Sequence, residues 1–468
     1  MTNAERSCNE GSKGIGMKGN SRLRGLASIG VMTVLVLALA ACSETYPNTT
    51  FDPHSDLGRW IDDLWDKLLL LGTIVFVLVE AALIWVIFRY RRRPNDTTTP
   101  PQTHGNAVLE IVWTLIPAFI LLFIAVPTVQ TIFKTQAQVA AGALEIEVIG
   151  HQWWWEFRYP EYNIVTANEI YIPTGRTVNF KMTSHDVIHS LWTPQLAGKR
   201  DVMANRTNYI WFTPDSSLGP AVWNGFCTEY CGASHANMRF RVFTVKPDQF
   251  ASWVAGQQSP AHFGAAANAK APTLASFGGQ REYRTSGIGA EGGAAPAVPR
   301  PVNAPVPGAE VTAAPAPATN VAAGNVAPGY TFPRNLVEFD YAKPHTPIPA
   351  GLSFTPGLTG NAARGQQVYS SSACIGCHAI YGNPMSAGVS GPNLTHFGSR
   401  ATLGAGTFPN TPAYLALWIK NARKMKPGIL MPTLGKGEID PILKKPVTAG
   451  GLDDQQIADI VAYLTALK

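Results

Sequence analysis

Three apolar stretches dominate the first 135 residues. The first, about residues 26–41, follows Lys13, Lys18, Arg22 and Arg24 and has the form of a secretory signal. The second and third, residues 68–88 and 108–133, can each form a helix of the roughly 20 residues that cross a bilayer. Between them lies Arg89-Tyr90-Arg91-Arg92-Arg93, and positively charged loops stay in the cytoplasm. We therefore predict a transmembrane helix hairpin over 60–135, rather than a helix pair buried in a soluble core, with the chain after it exported.

The pattern changes to short β-rich segments from residue 144. Residues 144–149, 177–182, 207–212 and 240–245 alternate or are rich in β-formers, and turn signals such as Pro173-Thr174-Gly175 separate them. Several short strands at this spacing favour a β-sandwich or barrel. We assign this domain to residues 144–255.

The last 213 residues divide into a linker and a helical domain. Residues 256–353 are rich in Ala, Gly and Pro and cannot bury a core, although 330–341 are more aromatic and could lie against a neighbouring surface. Helical patterns return at 361–369, 411–423 and 453–467, the last with apolar residues on one face. They predict a small all-α domain over 354–468.

Composition narrows the class of protein. A chain of 468 residues favours two or three folded units, and 46% apolar residues exclude a disordered chain. A net charge of +6 is too small for a dedicated nucleic-acid binder. The six cysteines are too few, and too unevenly spaced, for a disulfide framework; they are Cys8, Cys42, Cys227, Cys231, Cys374 and Cys377.

The first apolar stretch ends Leu39-Ala40-Ala41-Cys42, which resembles the lipobox of bacterial lipoproteins. The resemblance implies a signal peptide over 1–41, cleaved before Cys42, and lipid attachment at that cysteine. An uncleaved signal anchor with an incidental cysteine is the alternative. Cys8 lies in the leader and has no visible role.

One cluster of metal-ligand residues stands out: Cys227-Thr-Glu-Tyr-Cys231-Gly-Ala-Ser-His235-Ala-Asn-Met238. Two thiolates, an imidazole and a thioether within twelve positions suit a soft transition metal, above all copper. Zinc is the minor alternative, since its structural sites usually show C-x-x-C spacing and need no methionine. A second imidazole is still required. His189, in Asp186-Val-Ile-His-Ser190, is the preferred candidate, and His185 is its competitor.

Residues 60–255 resemble subunit II of cytochrome c oxidase. The D-V-x-H-S and C-x-E-x-C-x-x-x-H-x-x-M segments match, as does His151-Gln152-Trp153-Trp154-Trp155. The resemblance implies a cupredoxin-like β-sandwich with a mixed-valence binuclear copper centre, CuA, bridged by two cysteines. By position, its ligands would be His189, Cys227, the Glu229 backbone carbonyl, Cys231, His235 and Met238.

The same resemblance implies roles for three further residues. Trp153 matches the aromatic residue that takes electrons from cytochrome c, although a packed core tryptophan is the alternative. Glu110 matches the glutamate at the mouth of a proton pathway into subunit I, but an acid at a helix end can equally be an interfacial anchor. The Glu229 side chain matches one that helps to bind a magnesium ion shared with subunit I.

Cys374-Ile-Gly-Cys377-His378 is the attachment signature of a covalent c-type haem. The two thiols would add to the haem vinyl groups and His378 would be an axial iron ligand; a redox dithiol or a zinc half-site fits the helical context poorly. Residues 426–432 resemble the K-P-G-x-x-M-P loop of class I cytochromes c, which makes Met431 the second axial ligand ahead of Met385 and Met425. Histidine and methionine ligation raises the haem potential, as a donor to copper needs.

Together, these segments resemble oxidases whose subunit II carries a fused cytochrome c. The resemblance implies a bacterial inner-membrane protein with its copper and haem domains on the periplasmic side, in complex with subunits I and III. Electrons from a cytochrome c or a cytochrome bc complex would pass through haem c and CuA to subunit I. There oxygen would be reduced to water with proton pumping.

Three other classes fit less well. A quinol oxidase subunit lacks the copper cysteines, a nitrous oxide reductase needs a large propeller domain, and a copper chaperone has no use for haem c.

The distribution of charge suggests one hypothesis about how the copper and haem domains meet. Residues 144–255 hold nine Lys/Arg against ten Asp/Glu, whereas 356–468 hold ten against five. The basic haem domain could therefore be a tethered carrier that docks on the copper domain through complementary charge.

Overall fold

A computed structural model describes residues 48–92, 104–137, 141–261, 329–334 and 348–468, with positions 29, 30, 32, 33, 36, 97, 99, 102, 139 and 337. The chain forms two compact units, Met1–Pro47 and Asn48–Lys468. In the first unit the described positions are helical, and the predicted cleavage site and Cys42 lie outside the described residues. Most of the predicted linker lies outside them as well.

Two long helices, α1 (Asp56–Arg89) and α2 (Ala107–Gln136), form the predicted hairpin. Each begins at a polar cap: the Ser55 hydroxyl accepts a hydrogen bond from the Gly58 amide, and the Asn106 side chain accepts from Val108 and Leu109. Both helices are long and apolar enough to span a membrane, and their large apolar side chains face outward along most of their length. Such an outward apolar surface suits lipid rather than water.

The next domain is a sandwich of two five-stranded sheets, with strand orders β3-β2-β1-β5-β8 and β4-β10-β9-β6-β7. The core lies between the sheets, where alternate residues of β2, namely Trp155, Phe157 and Tyr159, are fully buried. The strands are β1 (Leu144–His151), β2 (Trp154–Tyr159), β3 (Ile164–Ala167), β4 (Glu169–Pro173), β5 (Val178–Ser184), β6 (His189–Trp192), β7 (Arg200–Val202), β8 (Asn208–Phe212), β9 (Ala221–Cys227) and β10 (Arg239–Val245). Helix α3 (Pro247–Gln258) follows.

Short-range contacts attach this sandwich to the membrane helices. The Asp56 carboxylate accepts a hydrogen bond from the Thr213 amide at 2.8 Å, and Arg59 pairs with Asp215 at 2.6 Å. The Trp211 indole donates to the Ala137 carbonyl at 2.8 Å, just after α2. The sandwich is therefore held at the end of the hairpin that leads into it.

The C-terminal domain is helical, as predicted. Its helices are α4 (Ala362–Ser370), the single-turn α5 (Cys374–Cys377), α6 (Pro412–Met425) and α7 (Asp454–Ala466), with a small ribbon of β11 (Thr402–Leu403) and β12 (Phe408–Pro409). Asn361, Thr411 and Asp453 cap α4, α6 and α7. Helices α4 and α7 approach closely at Gly365, where an added Cβ would lie 1.9 Å from the Asp459 carbonyl oxygen.

The aromatic segment 329–334 rests on the sandwich. Phe332 packs on Phe243 with ring centroids 5.0 Å apart, and its amide donates to the Tyr171 hydroxyl. Two residues later, Arg334 donates to the Asn410 carbonyl of the helical domain at 3.2 Å. This segment therefore contacts both domains.

Candidate copper and haem sites

The copper-ligand candidates come from two segments of the sandwich, the start of β6 and the connection from β9 to β10. His189 begins β6 and Cys227 ends β9, and these antiparallel strands are paired through Leu191 and Cys227. His235 lies in a single 3-10 turn, His235–Asn237, and Met238 follows it directly before β10. The fold thus gathers at one point side chains that are up to 49 positions apart.

The candidate ligand atoms are close together. The Cys227 and Cys231 sulfurs lie 3.8 Å apart, and Cys227 Sγ is 3.3 Å from the Glu229 carbonyl oxygen. His189 Nδ1 is 3.8 Å from the Cys227 sulfur, whereas His235 Nδ1 is 3.6 Å from the Cys231 sulfur. The Met238 sulfur lies 3.9 Å from that of Cys231. Sulfur and imidazole are the soft and borderline ligands that copper prefers, so these residues fit a copper site.

Asp186 orients His189. Its carboxylate lies 2.9 Å from His189 Nε2, which leaves Nδ1 directed at Cys227. Burial alone would lower the pKa of His189, but the hydrogen bond to Asp186 raises it. A carboxylate behind a ligating imidazole fixes the ring and its tautomer.

The two thiols strongly influence each other. The Cys231 thiol, with help from His189, lowers the pKa of Cys227 to about 4. The neighbouring Cys227 raises the pKa of Cys231, because the Cys231 thiol keeps its proton in a hydrogen bond to the Cys227 sulfur and because two thiolates 3.8 Å apart would repel each other. A bound cation would remove that repulsion and allow both cysteines to ligate as thiolates.

His185 lies apart from this cluster. It is exposed and stacks on His151, with ring centroids 5.0 Å apart. The cysteines instead group with His189, whose ligand nitrogen and the two sulfurs lie within 4.8 Å of one another.

The haem candidates line one cavity of the helical domain. Cys374 and Cys377 border it from α5, beside His378 and Met431. Its apolar wall includes Leu415, Trp418, Ile419, Ile429, Leu434 and Leu464. Met425 is fully buried outside this lining, and Met385 is exposed. The residues present therefore fit a covalently attached, largely apolar group.

His378 is held in an orientation that suits an axial ligand. Its Nδ1 lies 2.8 Å from the Pro392 carbonyl oxygen, which leaves Nε2 for the cavity. Burial lowers the pKa of His378 and keeps the imidazole neutral, the form that binds iron.

The haem cavity opens onto the copper domain. Trp153 and Trp154 line it, and the Trp153 indole donates to the Cys231 carbonyl at 2.9 Å. On its other side, the Lys426 ammonium donates to the Trp153 carbonyl at 2.6 Å. Trp153 is only 8% exposed, because it lies between the copper cysteine and the haem loop.

The Lys426–Pro432 segment fits closely against this tryptophan. A Cβ at Gly428 would lie 2.8 Å from the Trp153 ring, and its φ of +88° also favours glycine. The Ser234 hydroxyl donates to the Pro427 carbonyl at 2.5 Å. Burial lowers the pKa of Lys426 to about 7.

A second interdomain contact centres on Glu169 at the start of β4. Its buried carboxylate accepts hydrogen bonds from the Thr402 amide and hydroxyl, each at 2.7 Å, and from the Ala401 amide at 3.2 Å. Burial raises the pKa of Glu169, although the Thr402 and Arg400 groups oppose the rise. No local pattern indicates this contact, because the partners lie more than 230 positions apart.

The side chains of two predicted residues take no part in either cluster. Glu110 is exposed in the first turn of α2, and the Glu229 side chain is exposed beside the copper cluster. Among the described residues, no carboxylate belongs to the metal-ligand group of His189, Cys227 and Cys231. Roles that depend on another subunit stay predictions.

The fold defines a membrane-anchored protein with a cupredoxin-like domain and a helical cytochrome c domain. The family model of the cytochrome c oxidase subunit II transmembrane domain matches residues 51–131, and that of its periplasmic domain matches 163–245. The cytochrome c model matches residues 362–468.

Curated relatives agree with these matches. Cytochrome c oxidase subunit 2 of Alkalihalophilus pseudofirmus is 27% identical over 93% of this chain and 96% of its own. The probable cytochrome c oxidase subunit 2 of Rickettsia bellii is 31% identical over 45% of this chain and 83% of its own. Quinol oxidase subunit 2 of Bacillus spizizenii is 32% identical over 51% of this chain and 74% of its own. The chain belongs to the cytochrome c oxidase subunit II family and carries a C-terminal cytochrome c domain. It is an electron-transfer subunit of a haem–copper terminal oxidase, a two-pass membrane protein with its soluble part outside.

Proposed function

We propose that this subunit receives electrons on its haem domain and passes them through covalent haem c to binuclear CuA, and on to subunit I. There oxygen is reduced to water with proton pumping. When bound, haem c exchanges one electron at its iron, and the copper pair shares one electron between two metals with little reorganisation. The donor is a cytochrome c or a cytochrome bc complex, the membrane is the bacterial inner membrane, and the partners are subunits I and III.

The contacts described above support the copper and haem roles, and the resemblance to the subunit II family supports the others. His189, Cys227, the Glu229 carbonyl, Cys231, His235 and Met238 hold the two coppers. Cys374 and Cys377 attach the haem, and His378 and Met431 ligate its iron. Outside these sites, Glu110 serves the proton pathway, Glu229 contributes to a magnesium site shared with subunit I, and Cys42 carries a lipid.

One observation carries the proposal: Trp153 contacts both sites. Its indole donates to the Cys231 carbonyl, and its own carbonyl accepts from Lys426 beside the haem cavity. A short covalent and hydrogen-bonded route therefore connects the two sites without crossing solvent. The interdomain hydrogen bonds that Glu169 accepts and Ser234 donates also favour a docked haem domain over a carrier that moves freely on its tether.

Quinol oxidase subunits are the alternative that the relatives suggest, and the copper cysteines argue against it. The decisive test compares two double variants of the purified oxidase. We expect C227S/C231S to lose copper and near-infrared absorption and to keep the c-type haem band. C374A/C377A should lose covalent haem and keep the copper signal. Wild-type protein without near-infrared copper absorption would refute the copper assignment.

The route through Trp153 has its own test. W153F removes the indole N–H but keeps an aromatic ring, so haem reduction by a small reductant should be unchanged while reoxidation of the haem slows. W192F, at a partly buried tryptophan that does not line the haem cavity, is the matched control. Equal reoxidation rates in W153F and wild type would exclude this hydrogen-bonded route.

A further inference from the structure

The haem-ligand loop has two ends with opposite surroundings. Lys426 and Gly428 are packed on the copper domain. Leu430, two residues further on, lines the haem cavity and yet leaves 78% of its surface exposed. The face towards Trp153 is therefore closed to an external donor, and the Leu430 side is open.

An exposed apolar hairpin, residues 437–447, is linked to Leu430 through Arg423. Its side chains Ile439, Ile442 and Leu443 are 63%, 54% and 65% exposed, respectively. Single apolar residues are common on protein surfaces, but a group of large ones within a short segment marks a binding surface. We call Leu430 and these three residues the Leu430 patch.

The hairpin is rigidly built. The buried Asp440 carboxylate accepts hydrogen bonds from the Ile442 and Leu443 amides, each at 2.9 Å, and pairs with Arg423 at 2.8 Å. Arg423 also donates to the Leu430 carbonyl at 3.2 Å. One arginine thus links the hairpin to the haem-ligand loop.

The helix beside the hairpin also supports it. Asn421 has non-helical backbone angles within α6, and its amide donates to the Ile439 carbonyl and the Glu438 carboxylate. The exposed apolar side chains are therefore held in place from both ends of the hairpin. Such preorganisation lowers the entropy lost on binding a partner.

Lysines surround the patch. Lys444 and Lys445 follow Leu443 directly, and Lys436 lies at the hairpin base, where the adjacent Gly437 amide donates to the Val447 carbonyl. All three lysines are exposed, and within the described part of the chain none forms an ion pair. Asp440 is neutralised by Arg423, and the three lysines outnumber the one remaining carboxylate of the hairpin, Glu438, so the rim is positively charged.

We propose that the Leu430 patch is the docking surface for the electron donor, a redox protein that presents an acidic surface with an apolar centre. The lysine rim would steer the donor and the aliphatic centre would hold it next to the haem-ligand loop. This inference rests on the proposed function and adds where electrons reach the haem domain.

The test uses the complete oxidase and flavodoxin, an acidic redox protein, as the probe. Binding of oxidised flavodoxin is measured by titration calorimetry, and reduction of haem c by its reduced form is measured by stopped flow. We expect K444E/K445E to slow reduction about tenfold or more at low ionic strength, with the difference lost near 1 M salt. I442S/L443S should weaken binding about tenfold at every salt concentration. A control, K199E/K468E, makes the same change in net charge at two exposed lysines outside the patch.

Several outcomes would overturn the proposal. Equal slowing in K444E/K445E and K199E/K468E would mean that only net charge matters. Unchanged flavodoxin binding, together with lost binding to vesicles containing phosphatidylglycerol, would assign the patch to the membrane surface. Concentration-dependent dimerisation that I442S/L443S abolishes, with donor binding unchanged, would assign it to a second copy.

Failure of the proposed function looks different. In the wild type, haem-to-copper equilibration after reduction is followed in the near infrared. If haem is reduced through the patch but the copper band never changes, the docking proposal stands and the haem-to-copper route is wrong.

Discussion

Removing the Glu169 carboxylate should weaken the docking of the haem domain on the copper domain. In E169A three hydrogen bonds disappear, and the Ala401 and Thr402 amides lose their buried acceptor. An unsatisfied buried donor costs about 1–3 kcal/mol. Two of them give a gross cost of about 2–6 kcal/mol. The net cost is smaller for two reasons: water can reach the amides, and the variant has no carboxylate to desolvate on docking.

We expect a net loss of about 2 kcal/mol in docking free energy, which corresponds to a roughly 30-fold larger opening constant. Hydrogen exchange of the Arg239 amide, which donates to the Ala405 carbonyl across the same interface at 3.0 Å, is followed by mass spectrometry in the oxidase and reads that constant. The control is E161A, which removes a partly exposed carboxylate paired with Arg176 at 3.0 Å. Such an ion pair contributes about 0–1 kcal/mol, so E161A should leave exchange at the Arg239 amide unchanged. Exchange in E169A at the wild-type rate would refute the reasoning, since it would mean that Glu169 does not hold the domains together.

Two further predictions concern the haem domain. Although burial opposes it, hydrogen bonds from Leu443 and Ile442 and the charge of Arg423 hold the pKa of Asp440 well below its usual range. Its stabilisation is therefore present above the unfolded value of about 3.9 and lost as pH falls towards the folded one. D440N should lower the thermal unfolding temperature by a constant amount between pH 5 and 7, and the difference should shrink below about pH 4; a constant difference down to pH 2 would contradict this. Gly365→Ala should destabilise the domain by about 2 kcal/mol or more, because the new methyl group overlaps the backbone of α7. Gly376→Ala is the control, since its Cβ would have no neighbour within 4 Å. Scanning calorimetry should give it the unfolding temperature of the wild type.

Much of the architecture could be read from local patterns. The hairpin, four of the strands and the three longer helices of the haem domain follow from hydrophobic period and capping residues, which act within a few positions of the chain. The thiols, imidazole and thioether of the copper cluster lie within twelve positions, and C-x-x-C-H is contiguous. Chemistry of this kind is visible in a sequence because one short segment supplies most of the ligands.

Contacts between distant segments depended on the tertiary structure. The choice between His189 and His185 required the pairing of β6 with β9, which turns one imidazole to the sulfurs and leaves the other exposed. The bond from Lys426 to the Trp153 carbonyl spans 273 positions, and no local period predicts it. A motif determines which atoms can bind a cofactor, since that property belongs to the side chains themselves. Which surfaces meet depends on the shapes that two folded domains present to each other, and those shapes exist only after folding.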